Sequence, residues 1–160
     1  MDLFERAVIE LWQCLNTHGL RYIVVGDFAA TFHGYHRFAG VIHPWIEETP
    51  ANRKKFRQAY ADYGMGDYES IETIEFVPGL IDFPLLNGMK LDIQTKLKGV
   101  DFSFGECLEI APIITIEGVD IPFLHLNHLM ANKKAVGRSK DLNDTIELEK
   151  IIKLQRDSEV

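Results

Sequence analysis

Apolar residues recur along this chain with two different periods, and the switches between them mark out its elements. Phe4, Val8, Leu11 and Leu15 fall at helical spacing, so they share one face of a first helix that Gly19 is placed to end just beyond Asn16, Thr17 and His18. Tyr22–Val25 is an unbroken aromatic and β-branched run closed by Gly26, the pattern of a strand, and residues 28–32 form a compact apolar stretch suited to one or two helical turns. A second strand is predicted over 39–46. Thr49 then supplies an N-cap and Pro50 a first-turn proline, so the next helix runs from Pro50 to Tyr63 and stops at Gly64.

Residues 64–88 carry mixed signals. Positions 71–77 alternate apolar and polar, while Pro78-Gly79 and Asn87-Gly88 mark turns, so short strands or an irregular excursion are expected there. Residues 90–95 are predicted as a strand, 101–107 as a helical turn, and Ile113–Ile116 with 119–123 as a hairpin about Glu117-Gly118. Leu126, Leu129 and Met130 open a helix that Gly137 interrupts, and Leu142, Ile146, Leu148 or Glu149, and Ile152 carry a second one toward the end. Helices thus segregate to the ends of the chain around a small mixed β-sheet, which predicts an α+β fold with the helices packed against the sheet.

Length and composition add bounds to this outline. A chain of 160 residues that is 46% apolar can bury one sizeable core, and no break in composition suggests a second domain. The expectation is one domain over 1–160, with the C-terminal helices, about 125–157, part of the same unit. A net charge of −7 argues against non-specific nucleic-acid binding, which needs clustered Lys and Arg to displace counterions. Cys14 and Cys107 stand far apart without the short spacing of a zinc site and read as free thiols. No apolar run approaches the ~18–20 residues of a membrane span, and Met1-Asp-Leu-Phe-Glu lacks the basic stretch of a signal peptide, so a soluble, cytoplasmic protein is expected.

Several segments together resemble one family. They are Arg21-Tyr-Ile-Val-Val-Gly26, Phe32-His-Gly-Tyr35, Gly40-x-x-x-x-Trp45-Ile46, Lys90-Leu-Asp-Ile93, Gly99-Val-Asp-Phe102, and Leu129-Met-Ala-Asn-Lys-Lys-Ala-Val-Gly-Arg-Ser-Lys-Asp141. Their order and spacing resemble the small stand-alone bacterial members of the nucleotidyltransferase superfamily, which has a polymerase-β-like fold. In that family a strand enters Gly-Gly or Gly-Ser, a short helix follows, and the next strand carries Asp-x-Asp. The resemblance implies two Mg²⁺ ions about 3.5–4 Å apart, held by that pair and a third Asp, in a reaction that moves a nucleoside monophosphate from a triphosphate to a hydroxyl. It makes Gly26 the turn glycine, Asp92 the third carboxylate and residual metal ligand or base, and Lys133 the lysine facing the nucleotide. Gly26, Asp27, Lys133, Arg138 and Lys140 become the nucleotide-binding candidates.

The chain departs from that pattern where the metal would sit. Val41 and His43 occupy the Asp-x-Asp positions; valine has no lone pair to offer, and imidazole is a poor exchange for carboxylate on Mg²⁺. Pro44 removes a backbone donor from an inner strand, and Asp27 replaces the second Gly or Ser, capping the helix while repelling phosphate. Glu47 and Glu48 lie roughly 13 Å along an extended chain from position 43, too far to restore the cage. The expected function is therefore a nucleotidyltransferase-fold protein impaired in catalysis, with a cleft that binds a nucleotide such as a nucleoside triphosphate, a nucleic acid end or a protein partner. The alternatives are an active nucleotidyltransferase and an interaction module that binds no nucleotide.

Other residues have plainer readings. His33 and His36 are expected at the surface, and His125 and His128 at a helix entry, rather than in a transition-metal site. Trp45 and Phe28 are expected in the core. Lys133, Lys134, Arg138 and Lys140, followed by Asp141 and Asp144, are either a phosphate-facing patch or a solvated helix junction held by acid–base pairs.

Overall fold

A computed structural model of the chain describes residues 3–34 and 40–158, without the side chains of residues 3–5 and 32. The readings placed on Phe4, Tyr35, His36 and position 39 lie outside that description. In order, the elements are α1 (Leu3–Thr17), β1 (Tyr22–Val25), α2 (Gly26–Phe32), β2 (Val41–Ile46), α3 (Pro50–Tyr63), a 3₁₀ turn (Glu69–Glu72), β3 (Phe83–Pro84) and β4 (Lys90–Leu91). Then come α4 (Phe104–Ile110), β5 (Ile113–Ile116), β6 (Val119–Pro122), α5 (Leu126–Val136) and α6 (Ser139–Ser158). The fold is α+β, as the segregation of patterns predicted.

The sheet is mixed, in the order β1-β2-β4-β3. β1 runs antiparallel to β2, pairing Tyr22 with Ile46 and Val25 with His43, while β2 runs parallel to β4, pairing Ile42 with Leu91. The β5–β6 hairpin docks on the free edge of β1: Val24 bridges Phe123, and Leu124 N–H donates to the Val24 carbonyl at 2.9 Å. With a neighbour on each side, all four β1 residues are buried, which is why its sequence is a continuous apolar run rather than an alternating one.

Pro44 sits inside this sheet and leaves a mark on it. Its own carbonyl accepts from Gln94 N–H, and the flanking rungs Asp92 N–H to Ile42 C=O and Ile46 N–H to Gln94 C=O are in place, each at 2.9 Å. The missing rung is the N–H of residue 44, which would meet the Asp92 carbonyl. The strand predicted over 90–95 is accordingly regular only at Lys90–Leu91, although its hydrogen bonding to β2 continues to Gln94.

The helices follow their sequence signals closely. α1 buries Val8, Leu11, Trp12 and Leu15, and Trp12 stacks on Tyr22 with centroids 5.4 Å apart. Thr49 caps α3 by accepting from Asn52 N–H, and Gly64 ends it at φ +103°. Buried Asn52 then ties the entry to the sheet: its side chain accepts from Arg21 N–H and donates to the carbonyls of Arg21 and Glu47. Ser103 and Glu106 form a reciprocal capping box on α4. Glu117 and Gly118, both at positive φ, close the β5–β6 hairpin as predicted.

The alternating stretch 71–77 makes no strand. Arg53 of α3 donates to the carbonyls of Ile71 (3.1 Å) and Ile74 (2.6 Å) and lies over the Phe76 ring at 4.3 Å. A side chain thereby takes acceptors that a neighbouring strand would otherwise need. Phe76 and Phe83 pack edge-on against Phe56 of α3, so the excursion 64–88 still adds to the core. Trp45 is in the core against Phe104, and Phe28 packs partly buried against Phe123, as their apolar contexts suggested.

Candidate functional site

Register brings the first part of the site together. Val25 pairs with His43 across β1 and β2, and Ile42 with Leu91 across β2 and β4, so His43 and Asp92 come abreast on one face. Gly26 follows Val25 at φ +72°, and a Cβ built there would come within 2.9 Å of His43 Cδ2. Glycine is thus required twice over, for its backbone conformation and for the imidazole packed against it. Val41 lies two residues back from His43, on the same face of β2.

Asp92 is 7% exposed, just past the end of β4. Its Oδ2 accepts from Gly79 N–H at 2.9 Å, and His43 Nδ1 stands 3.6 Å from the same oxygen. The other oxygen, Oδ1, is buried with no hydrogen-bond partner among the described residues. Gln94 Nε2 lies 3.5 Å from His43 Nδ1. Burial lowers the His43 pKa, and Lys140 and Arg138 add to that, against the opposing pull of Asp92 and Asp27. His43 is therefore a neutral imidazole at neutral pH.

The C-terminal helices build the second part. Gly137, at φ +69°, turns α5 into α6 and brings Lys133, Arg138 and Lys140 to the same end of the sheet. Lys133 Nζ lies 3.0 Å from Asp27 Oδ1, 2.9 Å from Asp144 Oδ2 and 3.9 Å from Asp141 Oδ1, while Lys140 Nζ lies 2.7 Å from Asp27 Oδ2. Arg138 Nε bonds Asp141 Oδ2 at 2.6 Å. Burial pushes the Asp27 carboxyl up, but hydrogen bonds from Lys140 and Lys133 outweigh it and bring the pKa down to about 2. Asp141 is lowered too: burial opposes ionisation and Arg138 overcomes it.

Apart from Val41 and Asp144, the side chains that form these two parts line one cleft of about 630 Å³, together with the exposed Lys96 and Lys98. Every residue singled out from the sequence as a nucleotide-binding or metal candidate, namely Gly26, Asp27, Asp92, Lys133, Arg138 and Lys140, lies on its wall. Acid–base pairs run through the basic cluster, and its centre is buried, with Lys133 at 3% and Asp144 at 0% exposure, while the Lys134 and Arg138 side chains are exposed. Asp27 departs from its expected role: Val25 is the N-cap of α2, without a side-chain cap, and the Asp27 carboxylate turns to the lysines instead.

The remaining candidates sit elsewhere. Glu47 pairs with Arg21 and Glu48 with Arg53, both away from Asp92. His33 is half-buried rather than at the surface, its Nε2 2.8 Å from the Leu124 carbonyl, and His125 caps α5 by accepting from Asn127 N–H. Cys14 and Cys107 are free thiols. Sequence reasoning missed Gly79 and Gln94, whose roles depend on loop and register. It named Asp144 only as a follower of the basic cluster. The signal for its burial was its place on one helical face with Asp141, Thr145 and Leu148.

The donor set does not fit two Mg²⁺ ions. Val41 offers no ligand, His43 is a neutral nitrogen, one Asp92 oxygen is held by Gly79 and the other is sealed from solvent. Among the described residues no three His, Cys, Asp or Glu side chains are grouped to hold a metal ion. Likewise, no described helix is long and apolar enough to cross a membrane. No protein-family model and no curated protein matches the chain.

Proposed function

We propose that the chain is a nucleotidyltransferase-like protein that lacks a two-metal cage, and that its cleft binds a nucleotide without transferring a nucleoside monophosphate. What carries this reading is convergence: Gly26, Asp27, His43, Asp92, Lys133, Arg138 and Lys140 meet on one wall from positions as far apart in sequence as Gly26 and Lys140. The volume, about 630 Å³, is in the range of small-molecule sites. The want of carboxylates at positions 41 and 43 supports impairment, because Asp92 alone cannot bridge an attacking oxygen and a triphosphate through two ions.

Calorimetric titration with the four ribonucleoside triphosphates, each with and without Mg²⁺, tests the proposal. Binding that Mg²⁺ does not strengthen is expected, together with no transfer of label from α-labelled triphosphates. Mg²⁺-strengthened binding or labelled acceptor from the unaltered protein would overturn it. Transfer activity gained by Val41→Asp with His43→Asp would place the loss at those two positions.

A second reading, an interaction module, is favoured by one observation. Leu142, Ile146 and Leu154 of α6 are 49%, 54% and 68% exposed, an apolar presence on a helix whose inner face is already packed. Absence of nucleotide binding in every titration would shift the assignment to it.

A further inference from the structure

We propose that Asp27 is the internal occupant of an anion site: its carboxylate holds Lys133 and Lys140 in the place of an external polyanion of the phosphate class, which binds by displacing it. The inference rests on the cleft being a binding site and concerns how that site is regulated. Two ammonium groups, one from α5 and one from α6, converge on the two oxygens of a single carboxylate from α2, at 3.0 and 2.7 Å. Two adjacent phosphate oxygens would accept the same pair of donors.

The two lysines are unequal, and the inequality sets the route of exchange. Lys133 has a 4% exposed side chain and also holds Asp144, whereas the Lys140 side chain is 39% exposed where it meets Asp27. An incoming anion therefore takes Lys140 first. Of the other acids, Asp141 is bonded to Arg138, Asp144 shares Lys133 with the clamp, and Asp92 on the same wall accepts from Gly79 N–H. Lys96 and Lys98 line the same cleft and have no carboxylate within ion-pair distance among the described residues. A ligand with several negative charges would thus meet spare positive charge in the same cleft as the Asp27 clamp.

Asp27→Ser tests the inference, with inorganic pyrophosphate as the probe in a calorimetric titration. The variant is expected to bind pyrophosphate at least about tenfold more tightly than the unaltered protein, because the carboxylate that competes for Lys133 and Lys140 is removed. Pyrophosphate should also raise the melting temperature of the variant more than that of the parent. Adding Lys140→Gln should abolish both gains. Binding by variant and parent within about twofold of each other, or a gain that survives Lys140→Gln, would overturn the inference. If Asp27→Ser does not fold, Asp27→Asn keeps an acceptor for Lys133 and carries the same titration. ATP separates the two proposals. A parent that binds ATP beside a variant that gains nothing for pyrophosphate removes the internal occupant and keeps the nucleotide reading. A variant that gains pyrophosphate while neither protein binds ATP does the reverse.

Discussion

Replacing Lys133 by methionine takes away an ammonium group that is 3% exposed and leaves its acids behind. Methionine matches the length of the stem, so the change is chiefly one of charge. Asp27 keeps Lys140 and Asp141 keeps Arg138, but Asp144, fully buried, loses a charge partner at 2.9 Å. Removing one member of a buried pair is worth about 3–5 kcal/mol, well beyond the ~0–1 kcal/mol of a surface pair. For a chain of 160 residues the drop in melting temperature is then roughly 10 °C. Urea denaturation followed by fluorescence measures it, since Trp12 and Trp45, at 1% and 5% exposure, are both placed to report loss of the core. The deficit should carry a pH signature. Lys133 is among the charges that hold the Asp27 and Asp141 carboxyls low, so the parent loses that contribution as pH falls and the gap to the variant narrows. Adding Asp144→Asn should recover at least about 1 kcal/mol of the loss. A deficit under about 1 kcal/mol at neutral pH, or one that pH leaves unchanged, would refute the idea that this network anchors the C-terminal helices.

Asp27 gives a second pH test: its folded pKa of about 2 lies below the ordinary 3.8, so its contribution, on the order of 2 kcal/mol, is present above about pH 4 and lost as pH falls toward 2. Asp27→Asn should be less stable than the parent at neutral pH, with the difference closing over that window in urea titrations at stepped pH. Gly26→Ala should cost about 1–3 kcal/mol through its positive φ, and His43→Ala added to it should recover only the part due to the 2.9 Å contact; equal recovery of the whole loss would put the strain elsewhere. Pro44→Val should restore the rung to the Asp92 carbonyl and stabilise by about 0.5–1.5 kcal/mol, with the new residue-44 amide protected from hydrogen exchange; an unprotected amide would count against the missing-rung account.

Where structure is decided locally, the sequence was readable residue by residue. Thr49, Pro50 and Gly64 gave the limits of α3, and Glu117-Gly118 gave the hairpin, because caps and mirror-image turns depend on a few adjacent residues. Residues 71–77 misled for the opposite reason: what Arg53 does to the Ile71 and Ile74 carbonyls is a tertiary contact with no imprint on alternation. Pro44 was legible as an anomaly in an inner strand, but its effect on β4 required the register with Asp92. The site candidates were collected by resemblance and then met in one cleft. The direction of the Asp27 side chain was not readable, since a first-turn acid suits an N-terminus equally well and its lysines lie 106 and 113 residues away.

The docking of the β5–β6 hairpin on β1 has a consequence during synthesis. β1 is a short, wholly apolar segment, the kind that recruits foreign strands when its edge is open. β2 covers one edge within some twenty residues, but the other waits for Phe123 and Leu124, roughly a hundred residues later. On a ribosome adding about 5–20 residues per second, that edge goes without its own partner for on the order of 10 s. The nascent chain is thus most open to mispairing between the emergence of Val25 and that of Leu124, and substitutions that weaken the hairpin should surface first as poor recovery of protein from cells.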